Sequence, residues 1–202
     1  MVAIIDYDAG NIASVSKACE KLGSKVVLTR DREVILSADR VILPGVGSFG
    51  DAMEKLERFG LVDVIKDYVK TGKPFLGICL GLQLIFESSD ETPGVKGLGL
   101  LRGSVKRIPD AEGLKIPHIG WNDITIREGS RLFAGIPQNS YVYFVHSYYL
   151  DASDKSQVAA TTHYSVTIDA SVEAGNVFAT QFHPEKSGDV GLKILGNFLN
   201  LK

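Results

Sequence analysis

Lys73-Pro74-Phe75-Leu76-Gly77-Ile78-Cys79-Leu80-Gly81-Leu82-Gln83-Leu84-Ile85-Phe86 decides the reading of this chain. The half opened by Pro74 is a short apolar run, the pattern of a buried strand in a parallel sheet. The second half spaces Leu80, Leu84 and Phe86 so that the chain can continue as a helix. Cys79 sits at the junction between Gly77 and Gly81, a Gly-x-Cys-x-Gly elbow. Such a turn lifts a nucleophile to the tip of a strained strand-to-helix corner, where glycines are needed because the neighbouring elements press close. A helix starting there points free amides at the thiol and favours the thiolate. Taken alone, the same pattern also fits a cysteine that merely fills space.

The other end of the chain supplies partners for that sulfur. In Asn176-Val177-Phe178-Ala179-Thr180-Gln181-Phe182-His183-Pro184-Glu185-Lys186-Ser187, side chains alternate as in a strand and His183 follows at its end. In extended backbone, residues two apart face one side, so His183 and Glu185 are expected together, with Pro184 restricting the chain between them. A carboxylate beside an imidazole fixes its tautomer and stabilises the imidazolium formed when a proton arrives from sulfur. Cys79, His183 and Glu185 thus make a complete nucleophile, base and orienting group. The other histidines, His118, His146 and His163, lack an adjacent carboxylate or lie in polar sequence, and are read as packed or surface residues.

Composition narrows the class. At 202 residues the chain is long enough to bury roughly 70% of its unfolded surface in one domain. A net charge of −2, with 23% charged residues and no basic block, gives nucleic-acid binding no support. Apolar runs are too short to span a membrane, and Met1-Val2-Ala3-Ile4-Ile5-Asp6 carries no basic region or cleavage site, so a cytoplasmic protein is expected. Two cysteines make no disulfide framework.

Taken in order, Val2–Asp6 reads as a strand and Tyr7-Asp8-Ala9-Gly10-Asn11 as the loop after it, with Asn11 able to cap a helix. Ile12, Val15, Cys19 and Leu22 recur at helical spacing, Gly23 stops them, and Cys19 falls on the core face. Strands follow at Lys25–Thr29 and Arg40–Leu43, then helices from Ser48 through Phe59 and from Leu61 to Lys70. This alternation predicts a doubly wound, mostly parallel α/β sheet with flanking helices, the elbow strand central. After a polar loop from Glu87 to Gly94, β-patterned runs at Val105–Ile108, Asp123–Ile126, Tyr141–Tyr148 and Gln157–Thr162 lack helix-length gaps and predict an antiparallel β flank. Gly188–Leu201 closes the chain as an amphipathic helix. The loop Pro44-Gly45-Val46-Gly47 after the third strand lies where open α/β sheets place ligands. It could cradle a phosphate, although its spacing is not a known phosphate signature, or present amides to an oxyanion together with the amide of Leu80.

Gly77-Ile78-Cys79-Leu80-Gly81-Leu82-Gln83 and His183-Pro184-Glu185 together resemble the two signatures of the class I, triad-type glutamine amidotransferases. The loop Pro44–Gly50, the stretch Pro117-His118-Ile119-Gly120-Trp121-Asn122 and the run Tyr143-Phe144-Val145-His146-Ser147-Tyr148 narrow the resemblance to the glutaminase subunits of imidazole glycerol phosphate synthase, of histidine biosynthesis. It covers nearly the whole chain, so residues 1–202 are expected to be a single amidotransferase domain. The family often has glycine where Asp8 stands, a minor departure because Gly10-Asn11 is present.

The resemblance implies hydrolysis of glutamine to glutamate and ammonia with Cys79 as nucleophile, His183 as base and Glu185 as its orienting partner. It favours Val46, Gly47 and Leu80 as the oxyanion site, with a peptide at Val46 that can turn its amide in or out. It offers Gln83, Ser147 and Tyr148 as holders of the amino-acid end of glutamine and Glu91 for its ammonium, although a carboxylate in a polar loop also reads as simply solvated. No cofactor or metal is implied. Ammonia must travel out of bulk water, so a sealed contact is expected with a cyclase subunit of (β/α)8 barrel fold in a heterodimer. Trp121, Asn122 and Tyr143 are its candidate interface residues, with core packing of the β flank the other role open to them. Two rivals stand beside this reading: a glutaminase serving another synthase, and a non-catalytic regulatory module on the same fold.

Overall fold

A computed structural model describes residues 1–8 and 11–201; Ala9 and Gly10 of the first loop lie outside them. The elements run β1 (Val2–Ile5), α1 (Ile12–Lys21), β2 (Val26–Thr29), α2 (Arg32–Ser37), β3 (Arg40–Gly45), α3 (Phe49–Arg58), α4 (Leu61–Lys70), β4 (Phe75–Cys79), α5 (Leu80–Leu84), β5 (Ser88–Ser89), β6 (Gly103–Arg107), β7 (His118–Ile126), β8 (Ser140–His146), β9 (Tyr148–Ala152), β10 (Val158–Tyr164), β11 (Val166–Ala174), β12 (Val177–Thr180) and α6 (Gly188–Leu199). Among the described residues a nine-stranded sheet has the order β2-β1-β3-β4-β12-β11-β10-β7-β8. The pairs from β2 to β12 are parallel and those from β12 to β8 antiparallel.

Period-2 alternation assigns the two faces of the parallel half. Ala3, Ile5, Val41, Leu43 and Phe75 pack with α2, α3, α4 and α5, whereas Val2, Ile4, Ile42, Leu76 and Ile78 pack with α1 and α6. Helices on both faces make the sheet doubly wound. Local chemistry sets the helix starts: Ser48 accepts a hydrogen bond from Asp51 N at 3.4 Å and Asp31 accepts one from Val34 N at 3.0 Å. Asn11 stands at the start of α1 without a side-chain cap, its Oδ1 instead accepting from Ser14 Oγ at 2.9 Å.

Several sequence expectations are corrected here. The helix after the elbow is one short element ending at Leu84 rather than running through Phe86; the chain then turns, with Leu98 N and Gly97 N bonding to Leu84 O and Glu87 O. The run Tyr141–Tyr148 breaks at Ser147 into strands of two different sheets, because β9 pairs with β6 in a separate three-stranded sheet with β5. Strand β11 and helix α2 had no counterpart in the sequence reading.

The elbow is fixed by near-zero clearance. A side-chain carbon added at Gly81 would lie 2.0 Å from Leu43 O, one at Gly77 2.6 Å from Gly81 O, and one at Gly45 2.8 Å from the Tyr7 hydroxyl. No L-residue fits such gaps without moving backbone. Gly81→Ala is therefore expected to lower the unfolding free energy by about 2–3 kcal/mol, measured by urea denaturation; a midpoint equal to the parent's would contradict this packing account.

Candidate active site

Cys79 stands at the end of β4 with φ 55° and ψ −108°, a region that non-glycine residues rarely adopt. Holding it there costs about 1–3 kcal/mol, supplied by the interlocked glycines around it. Its side chain is buried beside His183, and Sγ makes two further polar contacts among the described residues, with Val145 O at 3.9 Å and Gln181 Nε2 at 3.8 Å.

His183 comes from beyond β12, which ends at Thr180. It does not continue the strand: it opens a single 3-10 turn, Pro184–Lys186. His183 and Glu185 therefore meet across the first residue of a turn, not along an extended segment as the sequence pattern suggested; Pro184 has the φ that such a turn needs. The result is a 2.8 Å contact between His183 Nδ1 and Glu185 Oε1, with both side chains almost wholly buried. The carboxylate accepts from Nδ1–H, so the neutral ring carries its open lone pair on Nε2. Among the described residues neither Nε2 nor Glu185 Oε2 has a hydrogen-bond partner.

Backbone bonds lock this turn to β8. His183 N donates to Tyr143 O at 3.0 Å, Tyr143 N donates to Ser187 Oγ at 2.9 Å, and Ser187 Oγ donates to His183 O at 2.6 Å. Burial opposes charge on the ring, but the neighbouring Cys79 and Glu185 side chains more than offset it and raise His183 to about 9.

One cleft, enclosing about 760 Å³ of empty space with its open mouth included, is lined by Cys79, Leu80, His183, Val46, Gly47, Gln83, Glu91, Ser147 and Tyr148. Glu185 lies behind the imidazole. Trp121, Asn122 and Tyr143 do not line the cleft. Val145, Pro117 and His146 line it as well, His146 doing so although the sequence reads it as a packed or surface residue.

The loop residues differ in freedom: Pro44 O accepts from the buried Tyr7 hydroxyl at 2.9 Å, while Gly47 has φ 96° and open space around its Cα. Glu91 is not simply solvated, as a carboxylate in a polar loop would be; its Oε2 accepts from Phe49 N at 2.8 Å, at the positive end of α3.

His118 and His146 are packed side chains. They contact each other at 3.0 Å, and Phe144 and Tyr164 stack on His118. Burial lowers His118 to about 4 and His146 to about 3, so both are neutral near pH 7. Cys19 is buried on the inner face of α1, and burial pushes its thiol up to about 12. Trp121 is 54% exposed and meets Tyr143 edge-on at 6.0 Å; with Ile119 and Tyr141, each 59% exposed, it forms an apolar outer face on β7 and β8. Core packing is thus not what Trp121 does. No described helix is long and apolar enough to cross a membrane.

Comparison with known proteins identifies the family. The family model described as glutamine amidotransferase class-I matches residues 3–201. An imidazole glycerol phosphate synthase subunit HisH from Methanocaldococcus jannaschii is 49% identical over 201 residues, covering 100% of both chains. The subunit of the same name from Methanothermobacter thermautotrophicus is also 49% identical, over 100% of this chain and 98% of its own. Among solved structures, PurLQS from Thermotoga maritima superposes with a TM-score of 0.74 at 23% identity, over 98% of this chain and 97% of that one, a likeness of fold. Sequence signatures, architecture and relatives agree: the chain belongs to the class I glutamine amidotransferase family.

Proposed function

We propose that this chain is the glutaminase subunit of an imidazole glycerol phosphate synthase, releasing ammonia from glutamine for a cyclase subunit in histidine biosynthesis. The subunits that it resembles at 49% identity support the choice of synthase. The observation that carries the chemistry is the His183–Glu185 pair at 2.8 Å, which leaves Nε2 open at a cleft shared with Cys79.

In this scheme Cys79 Sγ gives its proton to His183 Nε2 and attacks the side-chain amide carbon of glutamine. The oxyanion meets the amides of Leu80 and of the Val46–Gly47 loop. His183 returns the proton to the leaving nitrogen; ammonia departs and a thioester remains. Water, giving a proton to His183, then attacks the thioester, expels the thiolate and yields glutamate. Glu185 holds the ring and compensates the imidazolium. Gln83, Ser147 and Tyr148 hold the amino-acid end of the substrate, and Glu91 receives its ammonium.

The partner sits on the outer face of Ile119, Trp121 and Tyr141, with Tyr143 beside them; Asn122 instead turns its Nδ2 to His163 O at 2.9 Å and is not part of that face. Contiguous exposed aromatic surface of this kind marks a protein contact. A cyclase of (β/α)8 barrel fold, in a heterodimer, meets the need to keep ammonia from protonation in bulk water. The Val46 peptide, between a pinned Gly45 and an unhindered Gly47, is the segment that the partner sets for activity.

Cys79→Ala is expected to abolish glutamine hydrolysis while leaving complex formation and synthesis from ammonium salts intact; losing both activities together would make the residue structural. By NMR titration His183 is expected near 9 in the parent and at least about one unit lower in Cys79→Ala, because the larger of the two raising neighbours is gone. Its folded value lies above its ordinary one, so this contribution to stability is complete below about 6.5 and is lost as pH rises through about 9. An unmoved titration would refute the coupling. Glutamate release by the chain alone should be slow and rise on adding the cyclase subunit with its nucleotide, and Trp121→Ala should weaken that complex by about 2 kcal/mol in calorimetry; full turnover without the partner would contradict the assignment.

A further inference from the structure

Gln181 is wholly buried, two residues before His183, and its backbone N donates to Ala170 O at 2.8 Å. A polar side chain so enclosed must spend its amide on partners. Gln181 Nε2 faces Cys79 Sγ at 3.8 Å, and its Oε1 accepts from Gln83 Nε2 at 3.1 Å. Gln83 Nε2 also donates to Tyr148 O at 3.0 Å, and the same carbonyl accepts from His146 Nδ1 at 2.8 Å.

This series has only one polarity. Tyr148 O is a backbone carbonyl and can only accept, so Gln83 must present its nitrogen to it. That nitrogen has one hydrogen left, and Gln181 must offer it an oxygen. Only the NH2 of Gln181 then remains to face the sulfur. A carbonyl fixed in the main chain thus dictates that Gln181 turns a donor, never an acceptor, toward Cys79.

The Val145 and Gln181 contacts of Sγ suit its two charge states. As a thiol it can donate weakly to Val145 O; as a thiolate it has no hydrogen, and that contact becomes a carbonyl facing an anion. The side-chain N–H of Gln181 is then the favourable one, since hydrogen bonds to ionised acceptors are the stronger kind. Charge on Cys79 bears on His183, on the turn after β12, and on Tyr7, after β1; Glu91 and the neutral His146 line the same cleft. Gln181 is the neutral donor among them.

We propose that Gln181 is a catalytic residue of this site, its side-chain N–H donating to Cys79 Sγ while the sulfur is anionic, both before attack on the amide and when the thioester is cleaved. No proton moves on Gln181; the thiol proton still passes to His183. The proposal rests on the reading of Cys79 as nucleophile.

The test is the rate at which iodoacetamide alkylates Cys79 in the full-length chain across pH, followed by peptide mass spectrometry. Cys19, buried and with a raised thiol pKa, serves as the internal reference. Gln181→Met is expected to slow alkylation at pH 7 by about tenfold and to move the midpoint of the pH–rate curve upward by about one unit; Gln181→Glu, placing a carboxylate beside the sulfur, should slow it by about a hundredfold. Should the Gln181 variants fail to fold, Gln83→Met frees the Gln181 amide to turn and is expected to move the midpoint in the same direction. Folded Gln181 variants, or failing them Gln83→Met, that match the parent within twofold with an unmoved midpoint would overturn the proposal. A parent chain whose Cys79 reacts as slowly as Cys19 and is indifferent to His183→Ala would instead overturn the nucleophile assignment beneath it.

Discussion

Backbone against backbone at the end of β4 is the constraint on which the rest depends. Gly81 packs on the Leu43 carbonyl, Gly77 on the Gly81 carbonyl and Gly45 under Tyr7. These contacts hold the chain where it must reverse from strand to helix with a left-handed cysteine at the corner. Strain of this kind persists only when its surroundings over-determine it. The short α5 cannot offer the dipole of a long helix, so the geometry of the elbow, more than a field from the helix, sets out the sulfur.

The sheet is a junction of two halves with separate tasks. Its parallel half presents strand ends at one rim, where β3 delivers the Val46–Gly47 loop and β4 delivers Cys79. β12 is the hinge between the halves, parallel to β4 and antiparallel to β11. The chain leaving it carries both Gln181 and His183. The antiparallel half then supplies a wall to the cleft, with Val145 and His146 from β8, and the three-stranded sheet adds Tyr148 from β9. Residues far apart in sequence converge because one strand belongs to both arrangements.

Features coded locally were the ones legible in sequence. The Gly-x-Cys-x-Gly corner, the Ser48 cap and the apolar spacing of α4 each depend on a few adjacent residues, and the doubly wound architecture follows from their alternation. Helix α2 escaped because it buries only Ile35 and is too short to establish a period. Strand β11 escaped because it runs through the interior with Asp169 and Ser171 buried, where Asp169 accepts from Ala152 N and Ser171 donates to Ala179 O. Buried polar residues with such partners erase the alternation by which a strand is read. The candidate residues gathered around the cleft were legible through motif resemblance, while Gln181 was not. Its partner Gln83 lies 98 positions away, and only the fold brings them together.

Strand β8 ends the nine-stranded sheet and pairs on one side only, with β7. Its free side is the kind of edge that recruits foreign strands. At Tyr143 that edge is already occupied, since its N–H is taken by Ser187 Oγ and its carbonyl by His183 N. The turn bearing the imidazole thus doubles as an edge guard. Cover for the strand edge and placement of the imidazole are met by the same two bonds, so a change that uncovers this edge also releases His183.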